Sequence, residues 1–187
     1  MNTYNLLKEL RLYTLTSLIT EEEKEYVENC EALLLSNPFC FERTSKGHFT
    51  GSAWIVNSEN SHVLLTHHKK LNKWLQLGGH ADGDSHIKQV ALKEAQEESG
   101  TTKIDFLLDT IFDVDIHPIP SACERHYDII YLLQTHKDAQ IIISEESHDL
   151  RWIKLEDIEQ YTQERSLLRK LDKLRTFIAT KRNTKLY

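Results

Sequence analysis

The segment that most constrains this chain runs from Lys73 to Gly100. A short apolar stretch, KWLQL, enters Gly78-Gly79, an acidic turn follows at Asp82-Gly83-Asp84, and a helical pattern fills Ser85 to Ser99. Paired glycines let the backbone approach a neighbour or a ligand closely, and Asp-Gly-Asp favours a tight turn. Asp84 or Ser85 is placed to cap the helix N-terminus, and Gly100 to close it in the left-handed conformation. On that helix Glu94 and Glu98 stand on one face with Glu97 about 60° away, so three carboxylates share an arc of roughly 100°.

Such a stack repels itself. Like charges at this spacing cost an isolated helix on the order of 0.2–0.5 kcal/mol per pair, and negative charge in the last turn opposes the helix dipole. Lys93 compensates one carboxylate but not three. A divalent cation with oxygen ligands satisfies them all, and Mg²⁺ suits a few carboxylates, retained waters and substrate phosphates. Three glutamates alone also fit a solvated acidic face, as Glu21 to Glu23 do. The glycine pair and acidic turn in front of the helix move the reading toward a site.

Around this segment the chain alternates helices and strands without a regular repeat. Leucines at near-helical spacing predict a helix from residue 3 to about 18, and Thr20 with Glu23 forms a capping-box signature for a second helix ending near Asn37-Pro38. HFTGSAWI (48–55) and HVLLTH (62–67) read as a hairpin turning at Asn57 to Ser61. Later strands are expected at Ile104–Val114, Tyr127–Gln134, Ile141–Ile143 and Leu150–Ile153, with a last helix over Gln163–Lys181. This order points to an α+β or mixed-sheet layered domain.

Bulk properties set the limits. At 187 residues and 40% hydrophobic the chain suits one domain with a substantial core and a small helical appendage, which divides it into a 1–40 extension and a 41–187 domain. A net charge of −6 argues against broad nucleic-acid binding, and the basic Arg165 to Lys185 stretch reads as the solvated face of an amphipathic helix. No apolar run approaches the roughly 20 residues that span a bilayer, and Met1 to Leu18 lacks the order of a secretory signal, so a cytoplasmic protein is expected. Cys30, Cys40 and Cys123, odd in number and widely spaced, fit buried free thiols.

Gly79 to Thr101, GHADGDSHIKQVALKEAQEESGT, resembles the Nudix box. That pattern is glycine, five residues, glutamate, seven residues, arginine-glutamate, a hydrophobic residue, any residue, two glutamates, any residue, glycine and a hydrophobic residue. Gly79, Glu94, Ala95, Glu97, Glu98 and Gly100 fall on it in register. Ser85 stands where the pattern has its first glutamate, Lys93 where it has arginine, and Thr101 where it has a larger apolar residue. Lys93 keeps the charge of arginine without its planar fork, and Asp82 or Asp84 is the candidate to replace the missing carboxylate.

The resemblance covers about residues 45 to 160. It implies an α/β fold, a Nudix-like α/β/α sandwich with a mixed sheet, here with an N-terminal helical extension. It implies a Mg²⁺-dependent hydrolase, with Mn²⁺ as the alternative ion, that cleaves a diphosphate linkage in a nucleoside diphosphate derivative such as an ADP-ribose-like compound or a nucleoside triphosphate. Glu94, Glu97, Glu98 and the Gly78 carbonyl would hold the metal, and Lys93 would position Glu94. Glu94 or Glu98, or a loop acid at Glu145 or Glu146, would serve as base, and Gly79 and His80 would face the substrate. His117 and His126 read as structural, and Trp54, Trp74 and Trp152 as packing residues, one of them a candidate to stack on a base. The partner expected is a small-molecule nucleotide, with a homodimer as the candidate assembly. The alternative is a catalytically weakened nucleotide-binding or regulatory module, marked by Ser85 and Lys93. An isomerase on the same fold finds no suitably placed cysteine.

Overall fold

The computed structural model describes residues 3–118, 125–145 and 147–184, with side chains described to residue 181. The elements in chain order are α1 (Thr3–Tyr13), α2 (Glu21–Ser36), β1 (Gly47–Val56), β2 (His62–His68), β3 (Lys73–Leu75), β4 (Leu77–His80), α3 (Ile87–Ser99), β5 (Ile104–His117), β6 (Arg125–Thr135), β7 (Ser147–Lys154), α4 (Ile158–Tyr161) and α5 (Arg165–Thr184).

The strands form one sheet in the order β3-β2-β1-β6-β5, with β4 also pairing β1 and β7 pairing β2. β1 and β6 run parallel and the other pairs antiparallel, so the sheet is mixed. Its two faces separate by the strand period of two. Ala53 and Ile55 of β1, with Ile129, Tyr131 and Leu133 of β6, meet α1, α2 and α3 on one side. Trp54 and Val56, with Ile130 and Leu132, meet Leu167, Leu171 and Leu174 of α5 on the other. Each of those fully buried leucines contributes about 1.5–3 kcal/mol by leaving water. The expected α/β/α sandwich is thus present.

α1 and α2 share one continuous core with the sheet through Leu6, Leu10, Tyr13 and Val27. The capping box forms as expected: the Glu23 amide donates to Thr20 Oγ1, and the Glu23 carboxylate accepts from the Thr20 amide. α1 stops at Tyr13, short of the expected end, and the chain turns through Thr14 to Ser17.

Other differences have local causes. Lys73–Leu77 divides at Gln76 into β3 and β4, which pair with different strands. Residues 141–143 form no strand; the Ile142 amide instead donates to the Ser99 carbonyl at 2.8 Å, finishing the end of α3. The basic face of α5 is not simply solvated. Lys173, 6% exposed, donates to Asp113 Oδ2 at 2.8 Å and to Tyr13 Oη at 2.6 Å, and it pairs with Glu23. Arg169 holds Asp113 through two nitrogens, at 2.8 and 3.0 Å. Helical periodicity shows which positions share a face, but it cannot show that the β5 acids lie opposite. Cys30 and Cys40 are buried free thiols as expected, with burial pushing Cys40 up to about 11. Cys123 lies outside the described residues.

Candidate active site

The glycine pair meets α3 because β1 and the helix are in backbone contact. A Cβ on Gly51 of β1 would stand 2.8 Å from the Ile87 carbonyl oxygen and 2.9 Å from the Ala91 nitrogen, so only glycine admits the helix this closely. β4 lies beside β1 with Gly79 opposite Gly51 and Gly78 opposite Ser52. A Cβ on Gly79 would stand 2.4 Å from Glu94 Oε2, which places that carboxylate directly over the Gly79 backbone. One turn later, the Gly78 amide donates to Glu98 Oε1 at 2.9 Å.

Two of the three glutamates therefore converge on the glycine pair, and the third stands outside them. The Glu97 side chain is 58% exposed, against 20% for Glu94. Lys93 lies between them, its Nζ 4.0 Å from Glu94 and 3.7 Å from Glu97. It acts as a shared point charge and not as a fork on one carboxylate. The donor set is hard oxygen, and the space over Gly79 that a Cβ would fill holds a carboxylate, so these residues fit a hard divalent cation.

The turn before the helix forms as expected, with Asp82 and Gly83 both at positive φ, 48° and 88°. The cap does not. α3 begins at Ile87 with His86 as the capping residue and no side-chain cap, because the Asp84 carboxylate accepts from the His86 amide at 2.8 Å and is used within the turn. Asp82 pairs with Arg43, and that hydrogen bond, with Arg43's charge, holds its carboxyl below the usual range. Gly100 closes the helix at φ 67°.

Glu146 lies outside the described residues. Glu145 is exposed, and its carbonyl accepts from Lys69. Trp54 is fully buried. Trp152 is half-buried against the α3-side core, and Trp74, also half-buried, stacks on His67 with ring centres 5.1 Å apart.

On the opposite face of the sheet lies a polar strip that no spacing rule shows. Asp128, 2% exposed, accepts from Thr50 Oγ1 and Ser52 Oγ at 2.8 Å each and from Gln76 Nε2 at 3.1 Å. Beside it His80 meets His126, Nε2 to Nε2 at 3.2 Å, and the His48 ring stands 5.2 and 4.8 Å from theirs. Burial, followed by the charge of Arg43, lowers His80; burial and the neighbouring histidines push His126 down to about 3. His117 turns instead to Asp115, 3.2 Å away, and this outweighs burial to raise it. Sequence reasoning did not single out His48, because its register opposite His126 comes from the parallel β1–β6 pair.

Residues 48–173 match the NUDIX domain family. The m7GpppN-mRNA hydrolase NUDT17 of Xenopus laevis is 30% identical over 112 residues, covering 53% of this chain and 38% of that protein, so the chain spans well under half of this curated relative. A NUDIX-family hydrolase from Clostridium perfringens has a similar structure, with a TM-score of 0.58 at 26% identity over 70% of this chain and 97% of that one. The C. elegans Ap4A hydrolase binary complex gives a TM-score of 0.61 at 18% identity over 71% of this chain and 98% of that one, a likeness of fold. No helix among the described residues is long and apolar enough to cross a membrane. With the match spanning most of the chain and the glutamate helix set against its glycine pair, the chain belongs to the NUDIX domain family.

Proposed function

We propose that this chain is a Mg²⁺-dependent hydrolase of a diphosphate linkage in a nucleoside diphosphate derivative, with Mn²⁺ able to replace Mg²⁺. The observation that carries this reading is the convergence of Glu94 and Glu98 on the Gly78–Gly79 backbone. Glu94, Glu97, Glu98 and the Gly78 carbonyl would hold the ion, which supplies charge neutralisation for the diphosphate and acidifies an attacking water. The chain's own residues orient. Glu98 spends part of one oxygen on the Gly78 amide, Glu94 is fixed against Gly79, and Lys93 restrains Glu94 and Glu97 together. Gly79 and Glu146 are the proposed contacts to substrate and water; His80, expected beside them, lies on the opposite face of the sheet. The names of two relatives, an m7GpppN-mRNA hydrolase and an Ap4A hydrolase, support a substrate with nucleosides joined through phosphates. The 1–40 segment is proposed as a helical extension of the 41–187 domain.

The second reading, a nucleotide-binding module of weakened activity, is favoured by the Lys93 geometry, since contacts of 4.0 and 3.7 Å position Glu94 less firmly than a forked pair. Phosphate release from a panel of nucleoside diphosphate derivatives with Mg²⁺, with a phosphatase added to report masked products, separates the two. Turnover that disappears in Glu97→Gln/Glu98→Gln supports the hydrolase. Nucleotide binding without turnover on any compound supports the module.

A further inference from the structure

Three histidines from three strands meet on the sheet face turned away from α3. His48 lies near the start of β1, His126 lies opposite it on β6, and His80 ends β4 opposite Thr50. Strand alternation sets His80 on the face opposite to that on which Gly79 receives the Glu94 carboxylate. One ring nitrogen from each histidine lies within 4.8 Å of the other two.

The tautomer of His48 is set by its surroundings. The ring is 1% exposed, and its Nδ1 lies 3.1 Å from the Ser45 carbonyl, an acceptor that requires Nδ1 to carry the proton. Nε2 is then left with a lone pair, buried and without a hydrogen-bond partner. A buried acceptor left unmatched costs about 1–3 kcal/mol, so its persistence calls for a partner. A metal-binding histidine is held in the same way, with its second ring N–H on a backbone carbonyl. The His80 and His126 Nε2 atoms are 3.2 Å apart. Two imidazole nitrogens bonded to one tetrahedral Zn²⁺ at 2.0–2.1 Å sit about 3.3 Å apart, so this pair already spans one edge of such a site.

We propose that His48, His80 and His126 form a second metal site, distinct from the glutamates of α3, for a borderline divalent ion such as Zn²⁺. Three imidazoles with no carboxylate among them disfavour Mg²⁺ and Ca²⁺, which take oxygen, and suit Zn²⁺ and its neighbours in the first transition row. Arg43, whose charge reaches His80, is neutralised by Asp82. His117 is not a ligand, since it is committed to Asp115. Three protein ligands leave a fourth position for water or an oxygen of another molecule. The ion would tie β1, β4 and β6 together where β4 leads into the acidic turn.

The test is a Co²⁺ titration of tag-free, chelator-stripped protein, read by visible absorption, because tetrahedral Co²⁺ on nitrogen absorbs far more strongly than octahedral Co²⁺ on oxygen. We expect one strongly absorbing equivalent per chain, displaced by one equivalent of Zn²⁺. It should be unchanged in Glu94→Gln/Glu98→Gln and weakened at least about 100-fold in His126→Asn. His80→Asn, at a half-buried position, repeats the measurement in a variant whose fold is checked by circular dichroism. Absence of the strong absorption in the native chain overturns the proposal, as does a signal that survives His80→Asn in folded protein or is lost with the glutamates.

Discussion

The backbone amide of Gly78 donates to Oε1 of Glu98 at 2.9 Å, joining the end of β4 to the last turn of α3 across 20 residues of sequence. The bond has two consequences. It holds one oxygen of the Glu98 carboxylate in place, and it gives a half-buried backbone donor of β4 a charged acceptor, worth about 1.5–3 kcal/mol.

Those two roles separate by mutation. Glu98→Gln keeps a carbonyl oxygen for the Gly78 amide but removes the charge, so the fold should hold while metal-dependent turnover falls on the order of 100-fold or more. Glu98→Ala removes both and should also lower stability by about 1–3 kcal/mol. Urea denaturation beside the turnover assay checks this, and equal stability of the two variants would show that the bond contributes little.

The glycines of the site differ in what surrounds them. A Cβ on Gly79 meets the far end of the Glu94 side chain, which can swing away, whereas a Cβ on Gly51 meets the Ile87 and Ala91 backbone, which cannot. Gly79→Ala should therefore change stability by less than about 1 kcal/mol yet displace Glu94, raising the Mg²⁺ concentration needed for half-maximal activity. Gly51→Ala should cost about 1–3 kcal/mol by forcing α3 off the sheet. Unfolding midpoints and Mg²⁺ activation curves of the two variants should show opposite rankings.

Local chemistry made the α3 site readable from sequence, and distant pairing hid the rest. The glycine pair, acidic turn, helix and glutamates lie within one short segment, so periodicity and spacing alone place Glu94 and Glu98 on a common face. The helix start was misplaced because Asp84 bonds to His86 within the turn and does not cap. His48 and His126 meet only through the β1–β6 pairing, and Arg169 and Lys173 turn inward only because β5 carries Asp113 opposite them. Neither relation leaves a periodic trace.

That buried charge network fixes an acid dependence. Burial would raise the carboxyls of Asp113 and Asp115, but for Asp113 the charges of Lys170 and Lys173 and the Arg169 fork outweigh it, and for Asp115 the His117 hydrogen bond and the charges of Lys170 and Arg169 do. Both are held below the usual carboxylate range in the folded state. The unfolded chain then binds more protons as pH falls below about 5, so the stability these groups contribute is present at neutral pH and lost in acid. The urea midpoint should decline from about pH 5 toward pH 3, and Asp115→Asn should make the decline shallower. An unaltered slope would remove Asp115 from the account.

Asp128 tests whether a buried carboxylate here needs its charge. Thr50 and Ser52 both donate to Oδ1 and Gln76 Nε2 donates to Oδ2, while Gln76 Oε1 is buried without a partner. Asp128→Asn can keep its carbonyl toward the two hydroxyls and turn its amide nitrogen to Gln76. The Gln76 amide then flips to present its oxygen to that nitrogen, and its own nitrogen takes the place where the oxygen now lacks a partner, so the number of unmatched groups does not rise. The substitution should therefore cost less than about 1 kcal/mol, whereas Asp128→Ala, which leaves three donors facing a void, should cost about 2–4 kcal/mol. Chemical denaturation of the two variants decides it. A large loss in Asp128→Asn would mean that the charge itself, and not the pattern of donors and acceptors, holds β1 and β6 together at this point.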